Sequence, residues 1–131
     1  MPDQPAAKQG DKIVAVDTHI VMVPSPGGPV PTPMPMPFNG ALSSQCSSSV
    51  MIADQPAAIV GSQGMNGPAH VPQGGPFQKP PSNQGTVKSG SATVMIDNKQ
   101  AAHTGDPAMT CNDPSDTPGG TVIGSGTVLI G

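Results

Sequence analysis

A chain of 131 residues with five Lys plus Arg, eight Asp plus Glu and a net charge of −3 has no basic patch able to gather phosphates. That excludes nucleic acid as a partner. Seventeen glycines, eighteen prolines, two phenylalanines and no Trp or Tyr exclude a thick aromatic core, so a fold this small needs a supplement such as a bound metal.

No stretch approaches the roughly 18 consecutive apolar residues of a spanning helix, and no basic region followed by an apolar run marks a cleaved leader.

In chain order, Asp3–Ala7 is followed by a Gly10-Asp11 turn. Ile13–Val16 and His19–Val23 read as β-type runs. A turn near Asp17-Thr18 would make them a small hairpin, and a single bent strand fits equally. Pro24 to Pro37 holds seven prolines, four of them alternating. Lacking amide donors, this stretch is expected as an extended or polyproline II surface strap, not a helix or central strand. Docking to a proline-recognising domain is the sharper alternative, though no basic residues flank the stretch.

Ser43–Ser49 is a polar bridge carrying Cys46, and Val50–Ile52 starts a strand. Pro72–Pro81 is a second proline-rich crossing. Gly85–Ile96 and Gly120–Ile130 each read as a tight hairpin, the first around Ser89-Gly90. Gly and Pro are too frequent anywhere for a helix of ordinary length.

One phrase recurs through these elements. Asp3–Ala7, Val50–Ala58 and Val94–Ala102 are versions of it, and each Ala-Ala is followed by Gly10-Asp11, Gly61-Ser62 or Gly105-Asp106. The first copy lacks its leading Val-Met-Ile, which Thr127–Gly131 supplies when tail is joined to head. The copies are 51 residues apart (Ala6 to Ala57), then 44 (Ala57 to Ala101). A repeat that closes on itself implies a ring of three similar units.

The histidines follow the same register. His19 and His70 each lie 12 residues after an Ala-Ala pair. His103 follows Ala102 directly, and Cys111 stands near the corresponding later point of the third unit. If the units meet about a common axis, His19, His70 and Cys111 converge near it, and His103 completes a tetrahedral donor set suited to Zn²⁺ if its strand passes that axis, with Fe or Ni as alternatives. The plainer alternative is a set of turn histidines and a buried small thiol. Four protein ligands leave no open position for an activated water, which argues for structure over hydrolysis. Asp11, Asp54, Asp97 and Asp106 belong to turns, where bonding to nearby amides accounts for them. Cys46 and Cys111 can pair, but nothing in their surroundings requires it.

Pro5-Ala-Ala7 with Gly10-Asp11, Pro56-Ala-Ala58 with Gly61, and Ala101-Ala-His103 with Gly105-Asp106 resemble the Pro-Ala-Ala-Arg repeat of the PAAR family. The strap at Val23–Gly40 is similar to the PAAR-like branch of bacterial contractile injection systems. The family's arginine position holds Lys8, Ile59 and His103. The resemblance covers residues 1–131 as a single PAAR-like domain. It implies an all-β cone of hairpins with threefold pseudo-symmetry, proline-rich surface straps and no substantial helix. It also implies a metal on His19, His70, His103 and Cys111, and no enzymatic activity. The implied function is a tip, one copy per trimer, on a VgrG-like or phage-hub-like spike. Such a tip punctures membranes without inhabiting them, and it can attach effector or toxin proteins. The implied location is the bacterial cytoplasm during assembly, then the extracellular space or target cell. The repeats run from end to end, so no appended toxin domain is expected. The other readings are a protein-binding scaffold and a small zinc hydrolase.

Overall fold

The computed structural model describes residues 3–131. The protein is all-β, with no helix among the described residues. Six strands close into an antiparallel barrel: β2 (Lys12–Val23), β3 (Val30–Ser44), β6 (Gln63–Asn66), β7 (Gln84–Val87), β10 (Pro107–Thr110) and β11 (Thr117–Ile123). Its order is β10-β11-β2-β3-β6-β7. Three two-stranded ribbons stand apart from it. They pair β1 (Gln4–Pro5) with β12 (Leu129–Ile130), β4 (Met51–Ile52) with β5 (Gln55–Pro56), and β8 (Met95–Ile96) with β9 (Lys99–Gln100).

The ribbons are the repeated phrase. Asp54 and Asp97, with Ala53 and Asn98, take positive φ in the two internal ribbon turns, as tight hairpins with their strand twist require. The third ribbon joins the two ends of the chain, pairing Gln4 with Ile130 and Pro5 with Leu129. The expected hairpins at Gly85–Ile96 and Gly120–Ile130 do not form. β7 pairs with β6 and β10 in the barrel, while β8 pairs with β9. Likewise β11 belongs to the barrel and β12 to a ribbon. Each Thr-Val pattern is thus split between two sheets.

After each ribbon the chain makes the same turn. Residues 8–11, 59–62 and 103–106 close with bonds from Asp11, Ser62 and Asp106 N–H to the carbonyls of Lys8, Ile59 and His103. Gly10, Gly61 and Gly105 carry φ of 96°, 97° and 95°, a conformation open to glycine at no steric cost. The side chains of Asp11, Ser62 and Asp106 accept from the amides of Lys8, Ile59 and His103 in return. That accounts for both turn aspartates without catalysis.

Between ribbon and turn the three copies touch. Ala7 N–H donates to Ala102 O, Ala102 N–H to Ala58 O, and Ala58 N–H to Ala7 O, at 2.9, 3.0 and 3.0 Å. The bonds form a closed ring of three. All three alanines are buried there beside Ile13, Leu42, Val87 and Val122. Phe38 continues this core up the barrel. Its ring lies against the backbone of Gly40 and Gly85, where an added Cβ would approach ring carbons to 2.8 and 3.1 Å.

The proline-rich stretch is not a strap laid over the barrel. From Val30 to Ala41 it is strand β3, paired residue for residue with β2. In an antiparallel pair alternate residues direct their amides to the same neighbour. On β2 the amides of Thr18 and Ile20 turn away from β3, toward Asn112 and Asp113. Asp17, His19 and Val21 therefore face β3, opposite Met36, Met34 and Thr32. Pro31, Pro33, Pro35 and Pro37 fall at the alternate positions, where an N–H would point to the open edge. The missing donors cost the barrel nothing, and they leave an edge that cannot template another strand. Pro72–Pro81 does cross the surface, where Pro76 O accepts from Met22 N–H and Gln78 N–H donates to Ile20 O.

The ring makes its three alanines sensitive to size. Ala102→Leu is expected to destabilise the metal-free protein by about 1–3 kcal/mol through overpacking, read by urea denaturation. An unchanged midpoint would contradict the packing described.

Candidate metal centre

β2 carries the centre because it is one continuous strand. Its odd-numbered residues line the barrel interior, so Ile13, Asp17, His19 and Val21 share one face. Near the turn at residues 8–11 this face is apolar. About 13–20 Å beyond Ile13, at strand rise, it presents Asp17 and His19. His70 comes from the loop after β6 and Cys111 from the end of β10. One donor atom from each of Asp17, His19, His70 and Cys111 lies within 4.8 Å of the others, and all four residues are buried.

Asp17 is anchored by one oxygen and open at the other. Oδ1 accepts from Thr110 Oγ1 at 2.6 Å and from Asn112 Nδ2 at 3.4 Å. Oδ2 points into the cluster, 2.9 Å from His70 Nε2 and 3.3 Å from Cys111 Sγ. The His19 and His70 rings are 5.0 Å apart, and His70 packs on Phe38 at 6.3 Å. Neither ring nitrogen of His19 has a hydrogen-bond partner although the side chain is buried. Burial, with the charge of Asp17 adding to it, pushes the Cys111 thiol up to about 11.

A divalent cation answers each of these features. An unpartnered buried imidazole gains a ligand bond, and a carboxylate beside a potential thiolate gains the charge that separates them. Two imidazoles, one thiolate and one carboxylate are a donor set that Zn²⁺ accepts. Bound there, an ion would cross-link β2, the β6–β7 loop and the end of β10. Ligation through His70 Nε2 requires the ring proton on Nδ1. Asn66 now offers Nδ2 to that nitrogen at 3.2 Å while its Oδ1 accepts from Asn39 N–H at 2.8 Å.

The structure brings together three of the four residues expected as ligands: His19, His70 and Cys111. It places His103 elsewhere. His103 opens the turn at residues 103–106, pairs across a bridge with Ala6, and sets Nδ1 2.6 Å from Asp106 Oδ1, without hydrogen-bond alignment. It occupies the position that Lys8 and Ile59 hold in the other copies, at the alanine-ring end of the barrel. Asp17 stands in the cluster instead. The signal for it was its spacing of two residues from His19, which puts both on one strand face, but only if no turn intervenes. Cys46 lies outside the cluster, and both thiols are free.

Residues 78–131 match the PAAR motif family. The protein carries a PAAR motif. The PAAR motif is a non-catalytic structural domain, and the matched segment supplies Cys111, the third turn and β7 to β12. A search of curated proteins finds no match to the chain.

The Cys111 thiol gives the centre a pH signature when metal is absent. Its folded pKa lies above that of an unfolded thiol, so the unfolded chain ionises first as pH rises. Stability is therefore full below about pH 9 and falls toward pH 11. Metal-free wild type should lose stability over that window more steeply than Cys111→Ser in pH-dependent denaturation. Parallel profiles would contradict the burial of this thiol beside Asp17.

Proposed function

We propose that the protein is a non-enzymatic, metal-stabilised tip that caps a trimeric VgrG-like or phage-hub-like spike of a type VI secretion or related contractile injection machine. One observation carries this reading. Three ribbons present the same apolar position to solvent, with Met51, Met95 and Leu129 exposed by 57%, 57% and 55%. Val50 and Val128 are exposed beside them. Isolated exposed apolar residues are ordinary, but one large side chain recurring on each copy of a repeat favours a partner with the same repetition. The ring of alanine bonds and the recurring turns support a threefold pseudo-symmetry of the whole, which a trimeric partner can meet once per chain. Residues 50–52, 94–96 and 128–130 form the docking face. Apolar burial there can hold the cap without covalent or enzymatic help.

The opposite end of the barrel is the penetrating end, held by a metal on Asp17, His19, His70 and Cys111. Zn²⁺ is the first choice from the donor types, with Fe and Ni as alternatives. Assembly takes place in the bacterial cytoplasm, and firing carries the tip, with any attached effector, outward to the target cell.

Mixing the chain with a cognate spike trimer and measuring the mass of the complex tests this. One cap per trimer is expected, and Met95→Asp should weaken the complex while leaving the cap folded. Three caps per trimer, or no complex with a cognate spike, would refute it.

A further inference from the structure

The loop after β10 clamps β2 on both sides of His19. Asn112 Oδ1 accepts from Thr18 N–H at 2.7 Å. Asp113 N–H donates to Thr18 O at 2.9 Å, and Asp113 Oδ2 accepts from Ile20 N–H at 2.8 Å. The residues held are those directly before and after His19. The clamp leaves the second oxygen of Asp113 free of protein donors and aims it at the imidazole. Oδ1 lies 3.5 Å from His19 Nδ1, with both side chains almost wholly buried, at 1% and 3% exposure. A small cavity of about 60 Å³, lined by His19, Cys111, Asp113, Lys79 and Asp116 among others, adjoins the pair.

Both ring nitrogens of His19 are buried without a hydrogen-bond partner, which is costly unless an acceptor or a ligand bond reaches them, and Asp113 Oδ1 has no other protein donor. His19 Nδ1 is the group in range. A ring carrying its proton on Nδ1 has its lone pair on Nε2. The two unpartnered nitrogens of His19 thus receive separate tasks.

We propose that Asp113 is the positioning residue of the metal centre: it accepts the Nδ1 proton of His19, fixes that tautomer and presents Nε2 as the ligand. This rests on the metal reading above and adds to it a residue outside the donor set. The 3.5 Å separation closes to a hydrogen bond when the imidazole is drawn to an ion, because a carboxylate accepting from the second nitrogen makes the first a stronger donor. The loop carrying Asp113 begins directly after Cys111, so one short segment supplies both a ligand and the group that orients another.

The experiment uses the untagged full chain. Zn²⁺ affinity is measured by chelator competition for wild type and Asp113→Asn, a variant that retains an acceptor for Ile20 N–H but can turn an amide donor toward His19. A 10- to 100-fold loss of affinity is expected, with the metal-free stability unchanged. In parallel, long-range ¹H–¹⁵N NMR of Zn²⁺-loaded wild type should show His19 protonated on Nδ1 and metal-bound through Nε2. That measurement decides the matter even if the variant fails to fold. Metal bound through Nδ1, equal affinities, or a loss of affinity matched by a loss of metal-free stability would each overturn the role of Asp113 and leave the metal centre standing. Absence of Zn²⁺ binding by wild type would overturn both.

Discussion

Where Ala7, Ala58 and Ala102 meet, each backbone amide donates to the carbonyl of another, and each methyl is buried. This cyclic contact joins segments that are far apart in sequence. Its cost in chain entropy is offset by the buried amide bonds and by the apolar packing of Ile13, Phe38, Leu42, Val87 and Val122 above it. Alanine meets the requirement because it leaves little between the backbones that must approach. The ring also fixes where each turn begins, and the first turn fixes the direction in which β2 leaves. The position of His19 at the far end of the barrel therefore follows from a contact at the near end.

The two ends of the barrel differ in chemistry. One is closed by backbone bonds between small residues and flanked by ribbons with exposed Met51, Met95 and Leu129. The other holds buried Asp17, His19, His70 and Cys111, with Phe77 packed on His19 and Phe38 on His70. Such a cluster is unfavourable alone and favourable around a cation. A single ion there would add to the hydrogen bonds that already tie β2 to the loop after β10. The same division suits a cap that docks by its apolar end and meets resistance at the other.

Much of the architecture was legible in the sequence. The missing Val-Met-Ile of the first copy and the surplus Thr127–Gly131 foretold that the ends meet, and β1 pairs with β12. The shared offset of His19 and His70 from Ala-Ala foretold their meeting, since each follows a ring alanine through the same turn and into a barrel strand, His19 within β2 and His70 in the loop just after β6. The hairpins at Gly85–Ile96 and Gly120–Ile130 misled because their glycine turns and Thr-Val alternation are locally persuasive. The partners that override them, β6, β10 and β2, are remote in sequence. The proline alternation held its own answer: a period of two is the period of a strand, and it places every absent donor on one edge. Asp17 was hidden by its neighbour Thr18, which made a turn plausible in the middle of β2. His103 was expected in the donor set by resemblance and on the condition that its strand passes the axis, but its place directly after Ala102 puts it in the turn at residues 103–106.

The central claim is that Asp17, His19, His70 and Cys111 hold one metal ion. X-ray absorption at the metal edge, on untagged protein found to contain about one equivalent of metal, tests it most directly. For Zn²⁺ we expect one sulfur near 2.3 Å and three nitrogen or oxygen neighbours near 2.0–2.1 Å, with Asp17→Ala replacing or losing one light-atom neighbour. A folded protein without metal, or a shell that lacks sulfur and is indifferent to Asp17, would contradict it.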